Sequence, residues 1–223
     1  IIVRNIAAFE LRYSTGLPVA GEWEAEDKLD NGGENLKLSF GAGTAIHEFE
    51  YDDRFPWPVS PDGDGTSLVL VAPGDRPDHA DPLSWRPSVA VGGSPAGSDA
   101  TSFVGDPNAD GDGDGLVASL EYFLGSSDAI ADSSVLPFIA KGTGASAGYP
   151  TFTFQINLAA DDLVYEVQHS TDLTPGNWAS APAVSLVSLT DNGDGTATVV
   201  WQSNTLLADL PSQFMRLLVS ERP

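Results

Sequence analysis

The stretch Thr151-Phe152-Thr153-Phe154-Gln155-Ile156-Asn157 alternates polar and apolar side chains. Successive side chains of a β-strand point to opposite faces, so this spacing predicts a strand with one buried and one solvated face. Four further short stretches carry strand-forming residues, at 164–169, 183–189, 196–201 and 214–219. Clusters of Asp, Asn and Gly separate them, as between the strands of a sandwich. The C-terminal part is therefore predicted to be an antiparallel β-sandwich.

The N-terminal part predicts a second β-rich module. Residues 1–3 read as a strand, and Asn5 is placed to cap a short helix over 6–13. Residues 36–40 and 46–51 alternate at period two, which predicts strands with one wet face. Residues 67–71 are apolar after their serine, so this strand is expected to be buried on both faces. The fold class predicted is all-β, with two immunoglobulin-like sandwiches.

Charge divides the chain further. Residues 101–134 carry seven acidic and no basic side chains, and small-residue runs at 91–100 and 141–148 flank this segment. We therefore predict three ranges: a sandwich at 1–100, an acidic linker at 101–134 and a second sandwich at 135–223. The linker is expected to act as a hinge between the two modules.

The overall charge restricts the partners of the protein. There are 32 acidic and 10 basic residues in 223, a formal net charge of −22. Such a field repels nucleic acid and anionic lipid but attracts cations. No apolar run is long enough to insert into a membrane. The absence of cysteine excludes disulfides and thiolate metal sites.

The acidic segment contains a twelve-residue motif, Asp110-Gly111-Asp112-Gly113-Asp114-Gly115-Leu116-Val117-Ala118-Ser119-Leu120-Glu121. It fits the calcium-loop pattern of three alternating aspartates, a glycine at position six and a glutamate at position twelve. Five residues are the predicted metal ligands: Asp110, Asp112 and Asp114 through carboxylates, Leu116 through its carbonyl and Glu121 through two oxygens. With one water this makes about seven oxygen ligands, which suits Ca²⁺ better than octahedral Mg²⁺. The predicted cofactor is therefore Ca²⁺.

Only the helix that leaves the loop is predicted. Apolar residues continue at helical spacing from Leu116 through Leu120, Phe123 and Leu124, and Gly125 is predicted to cap the helix at its C-terminus. Before the loop, residues 101–107 have no helical pattern and end at Pro107. A calcium sensor works by moving two helices apart, so a structural clamp is expected instead of a switch.

Polar residues outside the twelve-residue motif do not define a metal site by their spacing. Asp106, Asn108 and Asp128 either extend the calcium site, form a second one or are simply solvated. The acidic turns at 61–65 and 191–195 have no glutamate at the required distance and are predicted to be hairpin turns. The histidines, His47, His79 and His169, have no metal-ligand spacing and are expected only to pack or be hydrated.

Several segments resemble known families. Residues 3–9, 29–34, 51–58, 62–70 and 81–86 resemble the second half of a bacterial lamin-tail domain, which implies an immunoglobulin-like sandwich in a large exported or surface protein. Residues 110–125 resemble the calcium segments of dockerins and type 3 thrombospondin repeats. Residues 165–173 and 214–217 are similar to C-terminal β-modules of such proteins in Verrucomicrobia-like bacteria. A dockerin has a duplicated loop, and this chain has one complete copy.

The resemblance implies a secreted or cell-surface, non-enzymatic structural or adhesive protein stiffened by Ca²⁺. The first strands of a lamin-tail module are not in this chain, so we expect upstream sequence or a second copy to supply them, giving a homopolymer or filament by strand complementation. One alternative is a carbohydrate-binding accessory module that recognises an extracellular glycan through an exposed Trp57 or Trp85. Another is a hydrolase built from scattered carboxylates.

Overall fold

The computed structural model describes residues 1–23, 28–210 and 212–223 and is β-rich, with two α-helices in the described chain. The chain divides into two compact units. The first contains Ile1–Leu70 and Arg76–Asp99, and the second contains Val71–Asp75 and Ala100–Pro223. The predicted division into three ranges that fold separately stays a prediction. The acidic segment, residues 101–134, belongs to the second unit.

The first unit contains three pairs of short strands. Strand β1 (Ile2–Val3) pairs in parallel with β2 (Gly21–Glu22), and helix α1 (Ile6–Tyr13) lies between them in sequence. As predicted, Asn5 caps α1, and its side chain accepts the N–H of Ala8 at 2.8 Å. The other two pairs are antiparallel, β3 (Glu34–Phe40) with β4 (Thr44–Tyr51) and β5 (Leu68–Leu70) with β6 (Trp85–Pro87).

The β3–β4 hairpin differs from its prediction in one respect. Both strands form, but the apolar face predicted to be buried is largely exposed. Leu38 is 50 % exposed, Ile46 57 % and Phe40 77 %. The register also shifts between Leu38 and Ser39, which marks a bulge near the turn. The alternating pattern predicted the strands correctly. It did not predict burial, because the apolar residues near the turn have no packing partner within the described unit.

Two predictions for the middle of the first unit are wrong. Strand β5 is half-buried along its length instead of buried on both faces, because it belongs to a two-stranded sheet. The acidic turn at 61–65 does not close a hairpin. It lies between β4 and β5, and these strands pair with β3 and β6 instead.

The second unit contains all five predicted C-terminal strands. Helix α2 (Ala118–Leu124) precedes a short exposed strand, β7 (Phe138–Lys141), and then β8 (Pro150–Asn157), β9 (Leu163–Ser170), β10 (Val184–Asp191), β11 (Thr196–Ser203) and β12 (Phe214–Glu221). Four strands form a sheet in the order β10-β11-β8-β7, and β12 pairs with β9. The turn at 191–195 joins antiparallel β10 and β11, as predicted.

Both sheets of the second unit and α2 share one hydrophobic core. The four-stranded sheet contributes Phe152, Phe154, Val184 and Val199, the β9–β12 pair contributes Leu163, Val167 and Met215, and α2 contributes Phe123 and Leu124. Two amides on β8 also hold the end of the helix. Gln155 Nε2 donates to Leu124 O and Asn157 Nδ2 to Tyr122 O, each at 3.1 Å. The helix after the acidic loop is therefore fixed to the sheet.

Gly125 ends α2 where only glycine fits well. Its φ of 77° is left-handed, and a Cβ there would lie 2.9 Å from Thr196 Cγ2. We expect Gly125→Ala to lower the free energy of unfolding of the second unit by about 1–3 kcal/mol. Urea unfolding measures the loss. Gly176→Ala is the control because its Cβ would meet nothing within 4 Å, and equal losses in both variants would contradict the prediction.

Candidate metal centre

Three aspartates of the loop converge. One carboxylate oxygen from each of Asp110, Asp112 and Asp114 lies within 4.8 Å of the other two, so this group can hold a metal ion. Asp110 and Asp114 are exposed, whereas Asp112 is half-buried and its Oδ2 is buried without a hydrogen-bond partner. The chain bends continuously through residues 111–115, and this bend brings the alternating aspartates together.

Backbone N–H groups hold these carboxylates in place. Asp110 accepts from Gly113 N at 2.8 Å through Oδ1 and from Gly115 N at 3.2 Å through Oδ2. Asp112 Oδ1 accepts from Asp114 N at 3.1 Å, and Asp114 Oδ1 accepts from Leu116 N at 2.8 Å. Gly113 and Gly115 have φ values of 79° and 94°, which the glycines accommodate without strain. The carboxylates are thus oriented by the loop itself.

Glu121 is the most unusual residue of the site. It lies on α2 and is only 1 % exposed. Ser126 Oγ donates to its Oε1 at 3.2 Å, but its Oε2 has no hydrogen-bond partner. Burial raises the pKa of this carboxyl, the Ser126 hydroxyl opposes the rise, and the charges of Asp112, Asp114 and Asp128 add to it. A buried carboxylate in this setting requires a proton or a cation.

The structure therefore places some of the predicted ligands together and leaves the role of others as a prediction. The structure brings Asp110, Asp112 and Asp114 together, and it places Glu121 in the electrostatic field of the last two. The carbonyl role of Leu116 stays a prediction. As expected, α2 leaves the loop at Ala118, and no helix enters the loop, since residues 101–117 contain none.

Of the further candidate ligands Asp106, Asn108 and Asp128, only Asp128 contacts the loop through its side chain. Asp106 accepts the N–H of Asn108 at 3.0 Å within a local turn. Asp128 instead reaches the loop, and its Oδ1 accepts the N–H of Gly111 at 2.6 Å. Spacing could not single out Asp128, because it lies seven residues beyond Glu121 and returns to the loop only after α2 has ended.

The histidines and tryptophans pack against other side chains. The rings of His47 and His79 are 4.5 Å apart, and the ring of His79 also adjoins those of Phe49 and Trp85. Trp57 is only 7 % exposed, and Trp85 is half-buried and donates its Nε1–H to His79 O at 2.9 Å. His169 is buried and lies 3.1 Å from Gln213 Oε1. Trp57 therefore offers no exposed ring on which a sugar could stack.

Comparison with known proteins found no matching family model and no match among curated proteins. The resemblance to lamin-tail domains and dockerins thus stays a prediction. Within the described residues, no helix has both the length and the apolar composition needed to cross a bilayer. The metal centre is therefore the feature of the chain that bears on function.

Proposed function

We propose that the loop from Asp110 to Glu121 binds a Ca²⁺ ion that stabilises the second unit. The observation that carries the proposal is Glu121, a fully buried carboxylate whose Oε2 has no partner and which lies in the field of the loop aspartates. Buried charges are normally paired or bound to metal. The available donors are carboxylate and carbonyl oxygens, which favour a hard cation over zinc or copper.

The ion has a structural role in this proposal. Helix α2 is fixed by the β8 amides of Gln155 and Asn157 and by its share of the core, so it is not free to swing as in a sensor. The cation would neutralise Glu121 and the loop aspartates together. Neutralisation removes their mutual repulsion and leaves the loop as a compact cover on the end of the core.

The wider role we propose is a non-enzymatic structural or adhesive protein of the cell surface or extracellular space. A net charge of −22 and a constitutive calcium site suit surroundings rich in divalent cations. The exposed apolar residues of the β3–β4 hairpin, Leu38, Phe40 and Ile46, support self-assembly by strand complementation. Light scattering over a concentration series tests this part, and a chain that stays monomeric throughout contradicts it.

Calorimetric titration with CaCl₂ tests the site directly. We expect one Ca²⁺ per chain with a dissociation constant below about 1 mM, the upper limit for extracellular calcium modules. Mg²⁺ should bind more weakly because it requires octahedral geometry and gives up water reluctantly. Absence of calcium binding to the wild-type chain, or stronger binding of Mg²⁺, would contradict the proposal.

A further inference from the structure

The segment after α2 folds back over the metal centre. We name residues 126–132 the return segment. At its start Ser126 Oγ donates to Glu121 Oε1, and at its end Asp132 N donates to Asp114 Oδ2 at 3.2 Å. In the middle, Asp128 Oδ1 accepts from Gly111 N at 2.6 Å. The return segment therefore contacts the beginning of the loop, its third aspartate and the closing glutamate.

Of the three residues of the return segment that contact the loop or Glu121, Asp128 makes the shortest hydrogen bond. A Cβ on Gly111 would lie 2.7 Å from both the backbone oxygen and Oδ2 of Asp128, so the approach requires glycine at position 111. Asp128 is half-buried, and its charge acts on the buried carboxylate of Glu121. A fifth carboxylate beside this loop adds to the repulsion among the other four, because like charges at short range repel.

A cation removes this conflict, and two buried oxygens of the site, Glu121 Oε2 and Asp112 Oδ2, have no hydrogen-bond partner that could do so instead. We propose that Asp128 supplies a fifth carboxylate to the cation site from outside the twelve-residue loop. The return segment thereby covers the bound ion and slows its release. This inference rests on the proposed calcium-binding function and adds a residue that the loop pattern does not contain.

The test compares Asp128→Asn with Asp132→Asn by calorimetric titration with CaCl₂. Asparagine at 128 keeps an oxygen acceptor for Gly111 N–H but removes the charge. Asp132→Asn removes the same charge from the same segment, where the side chain accepts only a local N–H, that of Ser134 at 2.8 Å. We expect Asp128→Asn to weaken calcium binding about 10- to 100-fold, as loss of a supporting group does in other metal sites. Asp132→Asn should stay within about twofold, because the substitution keeps the backbone N–H that bonds Asp114 Oδ2 and changes only a side chain that bonds Ser134 N.

A second measurement separates loss of affinity from misfolding. In chelator, Asp128→Asn should melt at or above the temperature of the wild type, because a repelling charge has been removed. Wild-type affinity in Asp128→Asn, or equal weakening in both variants, overturns the role of Asp128 while leaving the calcium site intact. Absence of binding to the wild-type chain overturns the site and this inference together.

Discussion

Saturating calcium should raise the melting temperature of the second unit by about 10 °C, and Glu121→Gln should abolish the shift. A ligand present at about 100 times its dissociation constant stabilises a fold by roughly 2.7 kcal/mol. For a unit of this size each kcal/mol corresponds to roughly 3–5 °C. Glutamine keeps the shape of Glu121 but removes the charge and one of the two predicted metal oxygens. Scanning calorimetry with CaCl₂ and with chelator measures the shift.

In chelator, Glu121→Gln should raise the melting temperature relative to the wild type instead of lowering it. Without a cation, the wild-type fold must hold a buried carboxylate beside Asp112, Asp114 and Asp128, and glutamine relieves this cost. Glu121→Gln should therefore melt above the wild type in chelator and below it in calcium. The control is Glu221→Gln, which removes an equal charge from an exposed position of the same unit and should leave the calcium shift unchanged. A shift of wild-type size in Glu121→Gln would contradict the role of this residue.

Local patterns predicted the elements that depend on neighbouring residues. The alternation at 151–157 gave β8, and the helical spacing of Leu120 and Leu124 gave α2 with Gly125 as its cap. The convergence of the loop aspartates also followed from spacing, because each carboxylate bonds an N–H two to five residues ahead. These features need no knowledge of the tertiary fold.

Long-range packing decided what the sequence could not predict. The acidic segment reads as a hinge, yet Thr101 N bonds Ala159 O at 2.8 Å and Phe103 N bonds Asp162 Oδ2 at 2.6 Å, contacts that span more than fifty residues. These bonds tie the segment to the second unit. Exposure of Phe40 likewise depends on what packs over the hairpin. Alternation alone identifies an apolar face but not its partner.

Glu121 and Asp99 are carboxylates with little exposed surface, and different groups compensate the charge of each. Glu121 has no basic partner among its contacts, whereas Asp99 in the first unit has Arg86. Arg86 Nη2 lies 2.7 Å from Asp99 Oδ1, and the exposed fractions of the two side chains are 6 % and 8 %. Val89 N also donates to Asp99 Oδ2 at 2.8 Å. One carboxylate is therefore neutralised by its own chain and the other by an ion in our proposal.

Asp99→Ala should consequently lower the free energy of unfolding of the first unit by about 3–5 kcal/mol, because it removes one partner of a buried ion pair. Urea unfolding at neutral pH measures the loss. Asp62→Ala, at an exposed turn of the same unit, should change stability by less than about 0.5 kcal/mol. A loss no larger than that of the control would mean that the ion pair adds nothing to stability.

The pH dependence follows from the pKa of Asp99. Burial alone would raise it, but the Arg86 guanidinium and the Val89 N–H outweigh burial and hold the pKa below its ordinary value. A lowered pKa in the folded state contributes stability that is present above the unfolded pKa and is lost as pH falls through the folded pKa. Wild-type stability should therefore decline in acid below about pH 4, and Asp99→Ala should lack this component. Because Arg86 and not an ion neutralises Asp99, the loss in Asp99→Ala should be the same in calcium and in chelator. Restoration of the variant by calcium would contradict this distinction between the two carboxylates.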